Sequence, residues 1–368
     1  MISLYKTNGG FFMKIGIIGC GGIANGKHMP SLKQVEGVQM VAFCDIILER
    51  ANDAKRDFGT RNASVYTDYK ELLKNEDIDV IHVCTPNISH AEISIAALRA
   101  GNHVMCEKPM AKTAKEAQAM IDAAKETGKK LTIGYQNRFR KDSRYLHTVC
   151  EDGELGDIYY AKAKAIRRRA VPTWGVFLDE EAQGGGPLID IGTHALDLTL
   201  WMMDNYKPKY VVGNSYHKLS GNENAANAWG AWDPSKFTVE DSAFGFITME
   251  NGATIVLEAS WALNTLDVGE AKTVLSGTLG GADMEDGLRI NGEAHGLTFE
   301  KKIDLETGGV DFYDGTGEDP AVLEAQSWIE AIQEDGDPVV MPEQALVVTQ
   351  ILEGIYESAK TGQPVFFK

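Results

Sequence analysis

The feature that most constrains this chain is a glycine pattern with a fixed neighbourhood. Gly19-Cys20-Gly21-Gly22-Ile23-Ala24 follows the apolar run 15–18 without a spacer and leads into a helical pattern. A G-x-G-x-x-G/A run in that setting needs a strand, a turn too tight for a first side chain, and a helix with an open N-terminus. Gly19 allows the turn, Gly21 lets an outside group approach the backbone, and Ala24 lets helix close on strand. The rhythm then continues. Residues 40–44, 80–83, 103–106 and 131–133 are nearly all apolar, as strands buried on both faces must be. Between them 48–58, 91–100 and 114–127 read as helices, closed by Gly59, Gly101 and Gly128 where a helix C-terminus favours glycine. The expectation for residues 1–134 is a doubly wound parallel sheet, with 1–12 as an N-terminal arm.

After Tyr135 the periodicity changes. Residues 157–168, 210–219, 242–249, 254–261 and 272–278 are longer β-type segments, and Glu250-Asn251-Gly252 is a turn signal between two of them. Residues 135–368 are therefore expected to form an α+β domain on a large, mostly antiparallel sheet. Its helices run from Gly184-Gly185-Gly186-Pro187 to about Met203, over 320–334 and over 342–361. The Gly-, Asn- and Ala-rich stretch 220–235 reads as a surface loop. A length of 368 residues suits two domains.

Charge and cysteine content narrow the function. With 36 basic and 53 acidic side chains the net charge is −17, which repels nucleic acid and anionic lipid. No apolar run reaches the ~18 residues of a membrane span. Five cysteines without a C-x-x-C pair indicate neither a disulfide framework nor a zinc site, and a reducing cytoplasm is expected. Ile18-Gly19-Cys20 weakly matches a lipoprotein cleavage box, but the glycine turn accounts for it better.

Two ends of the first domain carry chemistry. Asp45 closes the second strand 21 residues beyond Ala24, where a carboxylate accepts from a ribose 2′-hydroxyl and repels a 2′-phosphate. The expected cofactor is NAD, held by Gly19, Gly21, Gly22, Ile23 and Asp45, with Arg50 near the adenine. Thr85-Pro86-Asn87 and Glu107-Lys108-Pro109 follow strands, at the edge where open parallel sheets bind ligands. Proline after Lys108 keeps it extended and aims its ammonium into the cleft.

These motifs, with His90 and Gly186-Pro187-Leu188-Ile189-Asp190-Ile191-Gly192-Thr193-His194, resemble the glucose-fructose oxidoreductase, inositol dehydrogenase and rhizopine-catabolism (Gfo/Idh/MocA) family over nearly the whole chain. The resemblance implies a Rossmann domain and an open-faced sheet that mediates homodimers or homotetramers. It also implies that Lys108, Asp190 and His194 are catalytic. Local chemistry agrees: Asp190 and His194 at i, i+4 share a helix face, extended by Asp197 and Trp201, within hydrogen-bonding reach. A carboxylate-held histidine can take an alcohol proton, while Lys108 stabilises charge on the oxygen. No metal is expected, for want of a third ligand. Thr85, Pro86, Asn87, His90, Glu107, Lys108 and Gln136 are placed with the cofactor, and His82 in the core.

The substrate expectation is a small carbohydrate. Tyr135-Gln136-Asn137-Arg138-Phe139 resembles the family's Tyr-Asn-Arg segment, with a one-residue insertion, which makes Tyr135, Asn137 and Arg138 substrate contacts. Arg168 joins them from the Arg167-Arg168-Arg169 strand end. Trp174 offers a flat face for a sugar ring or the nicotinamide pocket. The combination looks closest to members that oxidise pyranosides to 3-keto glycosides, such as glucoside and levoglucosan dehydrogenases. Inositol dehydrogenase is the nearest competitor, and NAD-dependent glycosidases and non-catalytic NAD-bound regulators are the rivals of other classes.

Overall fold

The computed structural model describes residues 12–305 and 319–367, so residues 1–11 of the expected arm lie outside it. The first sheet comprises β1 (Met13–Ile18), β2 (Val38–Cys44), β3 (Ser64–Tyr66), β4 (Val80–Val83), β5 (His103–Cys106) and β6 (Leu131–Ile133). Its order is β3-β2-β1-β4-β5-β6, parallel throughout. Strand side chains alternate between two cores: Ile15 and Ile17 pack with Met29 and Leu32, whereas Ile18, Ile81 and Val83 face the other way. The winding reverses between β1 and β4, which opens a crevice at their carboxyl ends. The glycine run leaves β1 there and Thr85-Pro86 leaves β4.

The second sheet has nine strands: β7 (Ile158–Ile166), β8 (Pro208–Tyr216), β9 (Ser242–Met249), β10 (Thr254–Ser260), β11 (Gly269–Gly277), β12 (Gly280–Asp283), β13 (Arg289–Ala294), β14 (Leu297–Lys302) and β15 (Val365–Phe366). The order is β14-β13-β12-β11-β7-β10-β9-β8-β15, antiparallel except for the central β7–β10 pair. On its inner face Ala161, Ala163, Ala165 and Ala259 are small and fully buried, so helices approach closely. One is Thr193–Met203, almost wholly buried as it runs between two layers, with its polar members His194 and Asp197 buried as well.

The chain then doubles back. The helix Pro320–Gln333 sends Ala325, Trp328 and Ile329 into the core that Ile15 and Ile17 share in the first sheet. The expected surface loop 220–235 is only partly superficial, because Trp232 and Ser220 are buried and joined by the indole N–H donating to the Ser220 carbonyl at 2.8 Å.

Candidate active site

At the nucleotide end the glycine run is shaped by clearance. Gly19 takes a φ of +90°, and a Cβ there would lie 2.6 Å from the carbonyl oxygen of Cys84, the residue after β4. A Cβ on Gly21 or Gly22 would meet nothing within 4 Å, so both open onto space a phosphate could enter. Asp45 is fixed from both sides: Oδ2 accepts from the Cys20 N–H at 2.9 Å and Oδ1 from the Ile47 N–H at 2.8 Å. Each oxygen keeps a lone pair for a ribose hydroxyl. Ile23 and Gly22 are exposed beside the run, and Arg50 is exposed in the first turn of the helix Leu48–Phe58. This set fits a dinucleotide.

The chemical end joins the two sheets. Lys108 leaves β5 and its Nζ donates to Asp190 Oδ1 at 2.8 Å and to the Asp190 carbonyl at 3.0 Å. The other carboxylate oxygen accepts from the indole of the fully buried Trp261 at 3.1 Å. Asp190 sits in a π-helical turn, Leu188–Gly192, anchored at its start by Glu240, which accepts from the Gly186 and Leu188 N–H groups at 2.8 and 3.1 Å. A Cβ on Gly186 would collide with the Glu240 carbonyl. Wide turns of this kind occur often at functional sites.

His194, in the first turn of the helix Thr193–Met203, is buried, and its Nδ1 has no partner among the described residues. Burial, then the Lys108 ammonium, push its imidazole down to about 3, against a smaller upward pull from Asp190. It is neutral at pH 7 and has an open position for a hydrogen bond. Burial alone would raise the Asp190 carboxyl, but the Lys108 charge and hydrogen bond, helped by Arg167, hold it below the usual range. A carboxylate, an ammonium and a neutral imidazole thus stand together where the two sheets meet.

Several sequence expectations need correction. Asp190 does not hold His194: its oxygens are taken by Lys108 and Trp261, and the π-helical turn changes the spacing that an i, i+4 pair assumes. Asp197 does not extend the catalytic face, because it is buried against Arg138. Arg138 is not a substrate contact: its guanidinium is fully buried and its donors go to Asp197 at 2.6 and 3.0 Å, to Gln344, to the Val339 carbonyl and to Tyr206. Tyr135 is also fully buried, bonded to Thr193 Oγ1 at 2.8 Å and edge-on to His194 at 6.1 Å, so it supports the imidazole rather than a sugar. His90 offers nothing to a cofactor, since its ring nitrogens face the Pro109 and Thr85 carbonyls at 2.8 Å each. It ties the two strand-end loops together.

Glu107 likewise turns inward. Its Oε1 meets Lys27 Nζ at 2.5 Å and His28 Nε2 at 2.8 Å, while Oε2 accepts from the Lys108 N–H at 3.1 Å. His82 closes this buried cluster against His28 at 2.9 Å, and Lys27 also reaches Glu324 at 3.0 Å. The remaining expected residues are less deeply buried. Thr85 is half-buried, and its hydroxyl accepts from Ser89. Pro86 is exposed, and the Asn87 amide donates to the Gln183 carbonyl at 2.9 Å, bridging the two halves. Gln136 and Asn137 are half-buried, with Gln136 Oε1 lacking a partner among the described residues. Arg168 is exposed, and Trp174 is half-exposed against other aromatic rings. Trp261, Glu240 and Lys27 were missed, for they sit far along the chain from the motifs they serve.

A glycine-turn dinucleotide site facing a Lys–Asp–His group defines an NAD-dependent oxidoreductase. Residues 13–135 match the model of the oxidoreductase family with an NAD-binding Rossmann fold, and residues 143–283 match the GFO/IDH/MocA C-terminal domain. The chain is 35% identical over 358 residues to a D-glucoside 3-dehydrogenase of Escherichia coli (strain K12), covering 96% of this chain and 97% of that one. It is 30% identical over 197 residues to an inositol 2-dehydrogenase of Salmonella typhimurium (strain LT2), 53% of this chain and 56% of that one. Among solved structures, a levoglucosan dehydrogenase in complex with NADH superposes with a TM-score of 0.80 at 22% identity, over 97% of this chain and 99% of the other. The chain belongs to the Gfo/Idh/MocA oxidoreductase family.

Proposed function

We propose that the enzyme oxidises a secondary ring hydroxyl, at C3, of a glucoside or closely related pyranoside to the ketone. The observation that carries the chemistry is the meeting of Lys108, from the end of β5, with Asp190 and the unpartnered His194 from beneath the second sheet. The choice of a glucoside rests on the whole-chain relative at 35% identity. NAD+, when bound, takes up the two electrons and the hydrogen that the carbinol carbon loses. The hydroxyl proton passes to His194, which is neutral and open at pH 7. Protonated there beside the Lys108 ammonium, the imidazole is disfavoured and releases the proton to solvent as the ketone leaves, which readies it for the next turnover. Lys108 hydrogen-bonds the substrate oxygen as charge develops on it, and Asp190 holds that ammonium in place.

In this reading residues 1–134 serve the nucleotide and residues 135–368 the sugar and a second subunit. The outward side chains Val212, Phe246 and Val256 lie side by side across β8, β9 and β10, with Phe246 45% exposed, an apolar face suited to pairing two copies into a homodimer or homotetramer. Five free cysteines suit a reducing cytoplasm.

The test is NADH formation across methyl glucoside, levoglucosan, aryl glucosides and inositols, with mass spectrometry of the product. A 3-keto glucoside is expected. Turnover of inositols alone would transfer the assignment to cyclitol oxidation, and release of an aglycone without net NADH would make the protein an NAD-dependent glycosidase.

A further inference from the structure

Two half-exposed tryptophans are unaccounted for by the oxidation itself. Trp174 is 51% exposed and Trp229 45% exposed, although large aromatic rings gain most by burial. They meet edge to face, with centroids 4.9 Å apart and planes at 82°, and so form an open corner with two aromatic walls. The corner is built deliberately. Asn227 clamps the Val171 backbone, accepting from its N–H at 2.8 Å and donating to its carbonyl at 2.9 Å. The Ala228 N–H donates to the Arg169 carbonyl at 3.1 Å and the Thr173 hydroxyl to the Trp229 carbonyl at 2.9 Å. Two segments far apart in sequence are therefore zipped together at the point where both present an indole.

The corner is connected to the catalytic group by two routes. Trp174 packs on Phe177 at 5.9 Å, Phe177 on Trp261 at 6.4 Å, and Trp261 donates to Asp190. On the other side the Arg167 guanidinium lies 5.5 Å over the Trp229 ring and is locked to Glu270 by bonds of 2.6 and 2.7 Å. That same guanidinium contributes to the field that keeps Asp190 ionised. Two ring contacts and one hydrogen bond link Trp174 to Asp190, so the corner stands a few side chains away from the catalytic carboxylate rather than against it.

We propose that Trp174 and Trp229 form an outer subsite that stacks the ring carried on the glycosidic oxygen of the substrate, a second pyranose or a planar aglycone presenting its flat face. The inference rests on the glucoside reading above. It makes the preferred substrate a ring-bearing glucoside rather than a free sugar or a simple alkyl glucoside, and it gives Trp174 the outer ring instead of the oxidised one.

The experiment compares kcat/KM for phenyl β-glucoside, cellobiose and methyl β-glucoside in the wild type, Trp174→Ala, Trp229→Ala and Trp174→Phe. Stacking of this kind gives the wild type a preference for phenyl over methyl glucoside of roughly five- to tenfold. That ratio is expected to fall to about one in either alanine variant and to be largely kept in Trp174→Phe. Cellobiose tracking the phenyl compound indicates a sugar ring as occupant, and cellobiose tracking methyl glucoside indicates an aryl group; either supports the subsite. A wild-type ratio near one overturns it, as does an equal loss on phenyl and methyl glucosides in the alanine variants. Calorimetric titration of the NAD-free enzyme separates this proposal from the assigned reaction. Tighter binding of phenyl than methyl glucoside, abolished in Trp174→Ala, supports the corner even where no glucoside yields NADH, an outcome that would refute only the reaction. Equal binding of the two refutes the corner even where NADH forms.

Discussion

His194 differs from the buried His90 and His28 by what its ring does not touch. Both nitrogens of His90 face carbonyls and those of His28 meet His82 and Glu107, whereas His194 keeps Nδ1 without a partner among the described residues; His82 Nε2 is open too, but His82 lies inside β4 and not beside Lys108 and Asp190. Replacing it by alanine is expected to lower kcat by about 10²–10⁴-fold, the usual worth of a positioned base, with NAD affinity by calorimetry retained; turnover within a few-fold of wild type would refute the assignment. Its depressed pKa also has a stability signature. The unfolded chain protonates this imidazole near pH 6.5 and the folded protein only near 3, so between these values the unfolded state binds more protons and folding weakens as pH falls. Alanine removes that slope, and the Tm of His194→Ala relative to wild type should rise from pH 7 to pH 4.5; a constant difference would count against a neutral buried imidazole. Lys108, Asp190 and His194 were legible because each sits in a local motif. Their partners were not, since the Asp190–Trp261 and Arg138–Asp197 bonds span 71 and 59 residues and no local spacing encodes them.

Strands and helices were legible in proportion to how completely they are buried. β1, β4, β5 and β6 announce themselves as apolar runs, while β3 is three half-buried residues and β14 is wholly exposed, so neither carries a hydrophobic pattern to read. Gly59 shows that the same residue can end a helix for different reasons. Gly101 and Gly128 adopt left-handed φ values of 95° and 66°, but Gly59 does not, and is small because a Cβ would lie 2.8 Å from both the Lys55 carbonyl and the Phe43 ring. The turn between β1 and its helix is less forgiving. Gly19→Ala would combine a left-handed φ with a clash against the Cys84 backbone, and NAD binding is expected to be lost together with several degrees of Tm, measured by titration and melting. At the end of β2, Asp45→Asn keeps an acceptor for the Cys20 N–H but removes the charge. The ratio of kcat/KM for NAD over NADP should fall at least tenfold on that account, of order 1.4 kcal/mol, and an unchanged ratio would mean that Asp45 does not meet the ribose.

For the whole molecule, the two halves are joined by hydrogen bonds between loop and helix. The Asn87–Gln183 and Lys112–Glu181 bonds, at 2.9 and 2.7 Å, cross between the strand-end loops of the first sheet and the short helix Glu180–Gln183. On the outer face of the second sheet, Val212, Phe246 and Val256 form the patch proposed to pair two copies, bordered by the Lys162–Glu258 ion pair. Phe246→Glu would place a charge amid Val212 and Val256, and light scattering should then report a monomer; an oligomer of unchanged mass would move the interface elsewhere. The return of the helix Pro320–Gln333 has a consequence of another kind. Because Trp328 and Ile329 complete the wall on which Ile15 and Ile17 pack, and Glu324 shares the Lys27 ammonium with Glu107, the nucleotide half is expected to leave the ribosome with that wall unfinished. That side stays bare until the helix Pro320–Gln333 follows, about two hundred residues beyond residue 134, and a message cut short before it is expected to yield a fragment with an open greasy flank rather than a working half-enzyme.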